Sequence, residues 1–280
     1  MNALDSAERK LGRAKVHREE LDSILSTFYD SDPYFVTAEL DVERGVYEEV
    51  VHCRVEPDLA GYGLVIGDVA SNLRSCLNYL AYDLTVLETQ ANPPPRDRNI
   101  QFPIVSDGKE WENSRKGLIP NVGGKVSDAI QSVQPYKRGH ADPSTDPDAP
   151  VESHPLWWLN ELNNADKHRL IPVTTALQGG ARHNIYSQDI EVDAVSSPGP
   201  LTFGPGDGRT LIPLEEGAVL SRWNIRVTGP NPKVHMEGKT FSHVCLSCGP
   251  VTDSALLLVD LMIRYVEEDV FGAIRWALGA

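Results

Sequence analysis

The residues best suited to chemistry in this chain lie in two polar ribbons. In DVASNLRSCLNYLAYDL, Arg74, Asn78 and Tyr82 follow at four-residue intervals, with Asn72, Ser75 and Tyr79 on the neighbouring ribbon. In LNELNNADKHRLIP, residues 159–172, Asn160, Asn164 and His168 repeat the interval, and Asp166 and Lys167 fall among them. Residues so spaced share one face of a helix. Two such faces across a cleft would offer a guanidinium fork, amides and an imidazole to an anionic or amide-bearing ligand, with His168 able to titrate near neutral pH. The competing reading is structural: Asp166 and Lys167 form a solvated helix end, His168 caps the last carbonyls, and Arg74 pairs with a carboxylate inside the fold.

A third group, His243, Cys245 and Cys248, spells H-x-C-x-x-C, and thiolates with imidazole are preferred zinc ligands. A fourth ligand is the difficulty. Strand alternation puts His243 and Cys245 on one face with Cys248 at the strand end, whereas His52 and Cys53 point to opposite faces of their own strand. Buried structural cysteines are the favoured reading, ahead of zinc or redox work. GYGLVIGD, residues 61–68, gives G-x-G-x-x-x-G rather than a dinucleotide fingerprint, and the preceding strand belongs to an expected antiparallel hairpin. Glycines that let another backbone approach a helix suffice. There is no G-x-S-x-G, H-E-x-x-H, P-loop or EF-hand signature, although a triad scattered along the chain leaves no such trace.

The elements that must position these residues read as follows. Leu4, Ala7, Leu11, Ala14, Leu21, Leu25 and Phe28 form the stripe of a long first helix, interrupted for one turn near Arg18. After DSDP, Val36, Ala38, Leu40 and Val42 alternate with polar residues, as do Val51, Cys53 and Val55, with ERG as the turn of a hairpin. Pro57 and Asp58 open a second long helix with an apolar face from Tyr62 to Leu87, expected to pack on the first. QFPIV reads as a short edge strand, followed by two short helices near Trp111 and over residues 126–133. Residues 135–150, rich in Pro and Asp, read as a mobile loop. A helix starts after His154 with Pro155 early in its first turn. Residues 173–177, 184–192, 219–227 and 234–248 carry strand alternation between Gly- and Pro-rich turns, and a last helix covers residues 251–276.

The chain has 280 residues, 41% of them hydrophobic and 24% charged, which is enough for a sizeable core. A net charge of −14 repels phosphate and anionic lipid except at a local basic patch. No apolar run is long enough to span a bilayer, since the run near Ala255 is cut by Asp260. Charges in MNALDSAERKLGRAK occupy the place of a secretory apolar core, and four cysteines do not make a disulfide framework. A cytoplasmic protein without membrane contact is expected.

The motifs GDVASNLRSCLNYLAYDL, QFPI, IQSVQPY and HPLWWLNELNNADKHRLI, in that order over roughly residues 60–175, resemble a family of uncharacterised bacterial proteins common in actinobacteria. That resemblance brings no activity with it. The helix motif, which in the family reads like Leu-Arg-Ser-Ala-Leu-Asp-His, is also similar to the arginine/histidine motif of HEPN-domain ribonucleases. Those proteins pair helices so that the two side chains cleave RNA without metal. Arg74 matches this motif, but Asn78 and Tyr79 stand where Asp-His would be, so His168 would have to supply the proton transfer.

The expectation is one α+β domain over residues 1–280. Residues 1–172 would be mainly helical with an early β-hairpin, 173–248 an antiparallel β region, and 250–276 a C-terminal helix. Its expected role is binding of a small-molecule or protein ligand at a polar interhelical site built from Arg74, Asn78, Tyr82, Asn160, Asn164, Asp166, Lys167 and His168, in a homo-oligomer without a cofactor. The alternative is a HEPN-like metal-independent ribonuclease using Arg74 and His168, the one reading that brings in nucleic acid. A zinc or redox protein through His243, Cys245 and Cys248 ranks third.

Overall fold

The computed structural model describes residues 4–140, 150–178, 182–196, 201–202, 210–239, 242–248 and 251–279. Helix α1 (Asp5–Asp30) buries Ala7, Leu11, Ala14, Leu21, Leu25 and Phe28, the stripe read from the sequence. In the interrupted turn His17 is buried, while Arg18 reaches sideways. Strands β1 (Tyr34–Asp41) and β2 (Val46–Cys53) form the hairpin, whose turn includes Gly45 at φ 64°, a conformation that favours a residue without Cβ. Helix α2 (Leu59–Thr89) begins at Asp58, whose side chain accepts from the Gly61 N–H at 2.9 Å. It packs along α1. Leu73, Leu77 and Leu80 lie at 0% exposure there, and each such burial contributes about 1.5–3 kcal/mol.

Helices α3 (Trp111–Leu118) and α4 (Gly124–Ser132) follow. Residues 101–105 between α2 and α3 form no strand and pair with none among the described residues, which corrects the edge-strand reading of QFPIV. The reason is that side chains answer their backbone groups, as described below. The expected loop over 135–150 begins with a 3-10 stretch, Pro135–His140, and its central residues 141–149 lie outside the described residues. Helix α5 (Pro155–Asp166) has Pro155 in its first turn and His154 as N-cap, with the imidazole accepting from the Leu156 N–H at 3.1 Å.

The β region comprises β3 (Val173–Gln178), β4 (Arg182–Gln188), β5 (Ile190–Ser196), β6 (Leu201–Thr202), β7 (Thr210–Pro213), β8 (Val219–Val227), β9 (Lys233–Lys239), β10 (Ser242–Cys248) and β11 (Val251–Ser254). Among the described residues they form three antiparallel groups: β1-β2-β8-β5, β11-β10-β3-β7-β6, and β4-β9. The early hairpin is thus built into a sheet through β8. Residues 251–254 are strand rather than helix, because Val251 to Ser254 pair with Cys248 to Cys245; helix α6 (Ala255–Arg264) starts after them. It passes through a π-helical turn, Tyr265–Val270, into α7 (Phe271–Leu278).

One contiguous apolar cluster runs from Leu4 to Ile274 and joins α1, α2, α4, α5, α6 and α7 to the inner faces of the strands. The two sequence interruptions meet each other. Arg18, which breaks the stripe of α1, donates from Nε and Nη2 to Asp260 at 2.7 and 2.9 Å, and Asp260 is the residue that cuts the apolar run of α6. A bidentate pair of this kind raises the guanidinium pKa further and fixes the crossing of first and penultimate helices. None of the helices among the described residues is long and apolar enough to cross a membrane.

Candidate functional site

The two polar ribbons have different fates. Arg74 Nη1 donates to the Phe102 carbonyl at 3.0 Å, and Asn78 Oδ1 accepts from the Phe102 N–H at 3.1 Å. These two α2 side chains therefore grip both polar groups of one residue, as a neighbouring strand would, while the Phe102 ring is fully buried. The same logic repeats nearby. Gln134, at 0% exposure, accepts from the Val105 N–H at 2.9 Å and donates to the Ile130 carbonyl at 2.9 Å. Tyr82 donates to Asn92 at 3.2 Å, near the end of the same helix. Segment 101–105 is thus held by amides rather than by a sheet.

Arg74 keeps an unusual environment. Its pKa is lowered to about 10 by burial, with no carboxylate among the described residues offsetting it, so the sequence expectation of an internal ion pair gives way to a carbonyl contact. The group still carries its charge at neutral pH, and the Phe102 bond uses one of its five N–H donors. Asn163 of α5, a helix that packs against α2, is 6% exposed.

The second ribbon ends early. Asn160 and Asn164 lie on α5, but the helix stops at Asp166, so His168 sits in the turn beyond it rather than on the ribbon. The His168 N–H bonds the Ala165 carbonyl at 2.9 Å, and Asn164, Asp166, Lys167 and His168 are all exposed. The glycines of α2 explain the position of this end. The Ile171 carbonyl passes 3.4 Å from where a Gly63 Cβ would stand, and a Cβ at Gly67 would collide with the Asp166 carboxylate. The chain therefore leaves α5 toward the N-terminal end of α2. Arg74 lies seven residues past Gly67, about 10 Å along the helix. Arg74 and Asn78 are brought together on Phe102; Asp166 lies at the level of Gly67, and Lys167 and His168 continue the exposed turn beyond it.

In β10, Cys245 and Cys248 are buried, and burial pushes both thiols up to about 12, so they are thiols rather than thiolates at neutral pH. Burial lowers His243, whose ring stands edge-on to Tyr29 at 6.5 Å. Among the described residues no three His, Cys, Asp or Glu side chains are grouped to hold a metal ion.

One feature escaped the sequence reading. At the N-terminal half of α1, a cleft of about 610 Å³ is lined by Asp5, Ser6, Arg9, Lys10, Arg13 and Tyr79. Arg9 pairs with Asp5 at 3.1 Å and Lys10 Nζ stands 5.7 Å from the Tyr79 ring centroid. Beneath it Asp83 takes a bond from Ser6, yet its Oδ2 is shut from solvent without a hydrogen-bond partner, and desolvation raises its pKa. The signal was the basic run ERKLGRAK in an acidic chain, whose Arg9 and Arg13 share a helix face. Comparison with family models, curated proteins and solved structures yields no match, so function has to be argued from this geometry.

Proposed function

We propose that this chain is a binding protein for a small anionic ligand, a carboxylate or a phosphate, with Arg74 as its anchor on the polar side of α2. The observation that carries this reading is a partly buried guanidinium joined to a single carbonyl, with no countercharge among the described residues to offset its burial. Burying a charge is costly unless it is paired, and a group so perturbed in a polar setting is a natural ligand partner. Asn78, already turned to the same residue, supplies a neutral hydrogen-bonding neighbour.

The test is thermal unfolding in phosphate, acetate or pyrophosphate against chloride at equal ionic strength. A ligand that binds only the folded state raises its midpoint with concentration. The parent is expected to respond to at least one of these anions, and Arg74→Met to respond to none; because the variant also leaves the Phe102 carbonyl without this donor, each protein is compared with its own midpoint in chloride. Equal anion responses in parent and variant would overturn the reading. In parallel, total RNA incubated with the protein in excess chelator is expected to stay intact, since Tyr79 occupies the position of the ribonuclease histidine; cleavage lost in both Arg74→Met and His168→Ala would replace binding with the ribonuclease alternative.

A further inference from the structure

On the outer side of the β1-β2 hairpin three side chains stand in a chain of hydrogen bonds. Thr37 Oγ1 lies 2.8 Å from His52 Nε2, and His52 Nδ1 lies 2.8 Å from Glu216 Oε1. The second Glu216 oxygen accepts from the Cys53 N–H at 2.6 Å, a bond that leads the causes lowering the pKa of this carboxyl. An ionised carboxylate can only accept, so the neutral imidazole of His52 carries its proton on Nδ1 and presents a lone pair at Nε2. The Thr37 hydroxyl must then be the donor of its bond. This is the relation of nucleophile, base and orienting acid on which hydroxyl-based acyl transfer depends, recognised by geometry and not by sequence order.

The surroundings suit a substrate. Thr37 and Phe35 are two apart on β1 and so share a face. The Phe35 ring stacks on His52 with centroids 4.9 Å apart, and the Arg54 guanidinium lies 4.6 Å from the Phe35 ring centre. An aromatic ring thus lies against the imidazole, with the Arg54 guanidinium, itself paired with Asp32, on the same ring. The His52 side chain is 26% exposed and Glu216 62%, so the face is reachable from solvent.

We infer that Thr37, His52 and Glu216 form an acyl-transfer site for esters with an apolar or aromatic portion, distinct from Arg74. Thr37 Oγ1 attacks the ester carbonyl carbon as its proton passes to His52 Nε2. The tetrahedral adduct collapses, the C–O bond to the leaving group breaks, and His52 returns the proton to the departing alcohol. Water, deprotonated by the same nitrogen, then cleaves the Thr37 ester; the sum is ester plus water giving acid plus alcohol. Glu216 is a positioning residue that fixes the tautomer.

The probe is p-nitrophenyl acetate, whose leaving group needs little protonation. The parent is expected to release a burst of one nitrophenolate per chain and to carry an acetyl group on the peptide containing Thr37. Thr37→Val, which keeps the β-branched shape a strand favours, is expected to abolish the burst. Thr37→Ser is expected to retain it, and His52→Gln to slow it about 10²-fold or more. Glu216→Gln, still able to accept from Cys53, is expected to slow the burst and to remove the downfield Nδ1–H proton resonance of His52. Acetylation confined to lysines, or Thr37 acetylated equally fast in His52→Gln, would overturn the inference.

Discussion

The two sides of α2 treat polar side chains in opposite ways. On one side Arg74 and Asn78 meet the carbonyl and N–H of Phe102, and Gln134 meets Val105 and Ile130, so the backbone of segment 101–105 finds partners without joining a sheet. On the other side Tyr79 faces the basic start of α1 across an open cleft, while Asp83 is bonded to Ser6 with its second oxygen buried and unanswered. The contrast teaches that a hydrogen-bonding ribbon is not by itself a site. Where its partners are backbone groups it is a clasp for the chain, and the spare donors of Arg74 are what is left for ligand chemistry, since the unanswered Asp83 oxygen is closed to solvent.

Stability measurements can break or sharpen this contrast. The largest effect is expected from Gln134→Ala, which removes both bonds of a fully buried amide and leaves a cavity, at a cost of about 3 kcal/mol in denaturant unfolding. A cost below about 1 kcal/mol would show that segment 101–105 is held by other means. Asn78→Ala, which orphans only the Phe102 N–H, should cost about 2 kcal/mol.

The cleft side should respond with the opposite sign. Asp83→Asn is expected to stabilise by about 1 kcal/mol at neutral pH, because it removes a charge from an unsatisfied buried oxygen. The pH dependence follows from the raised folded-state pKa. Below the ordinary value of 3.8 the carboxyl is protonated in both states and costs nothing. As pH rises through the folded-state value, the parent loses stability relative to the variant. An advantage for Asp83→Asn that stayed constant down to acid pH would mean that the charge is not its source. The smallest effect is expected from Gly12→Ala on the solvent side of α1: a Cβ there meets nothing within 4 Å, so helix propensity alone should raise stability by about 0.5–1 kcal/mol.

What was legible in the sequence was periodicity. The stripe of α1, the hairpin, the Asp58 start of α2 and the proline start of α5 all follow from local rules, and local rules act within a few residues. QFPIV was misread because its apolar residues alternate as in a strand, while the partners that satisfy it, Asn78 and Gln134, lie 24 and 29 residues away and leave no local mark. Residues 251–254 were assigned to the last helix because their pairing with β10 depends on a register that composition does not encode. His168 fell off its ribbon because α5 ends at Asp166 with no glycine to announce it. Thr37, His52 and Glu216 were invisible for the same reason as the clasp: Glu216 lies 164 residues from His52, and only the fold brings them within bonding distance.

The bonds that tie the first helix to the last elements have a consequence in time. Arg18 closes on Asp260 across 242 residues, Lys15 on Glu267 across 252, and Arg275 on Glu8 across 267. During synthesis at about 5–20 residues per second, α1 emerges roughly 10 to 50 seconds before the partners of its charged side chains exist. Throughout that interval its apolar stripe has α2 as a partner but not α6, and the groove that α6 will fill stays open to water. The nascent chain thus carries an unfilled groove until its last quarter is made, and ribosome-bound chains stopped before Asp260 should display it to a hydrophobic dye or a chaperone, while chains extended past Leu278 and clear of the exit tunnel should not.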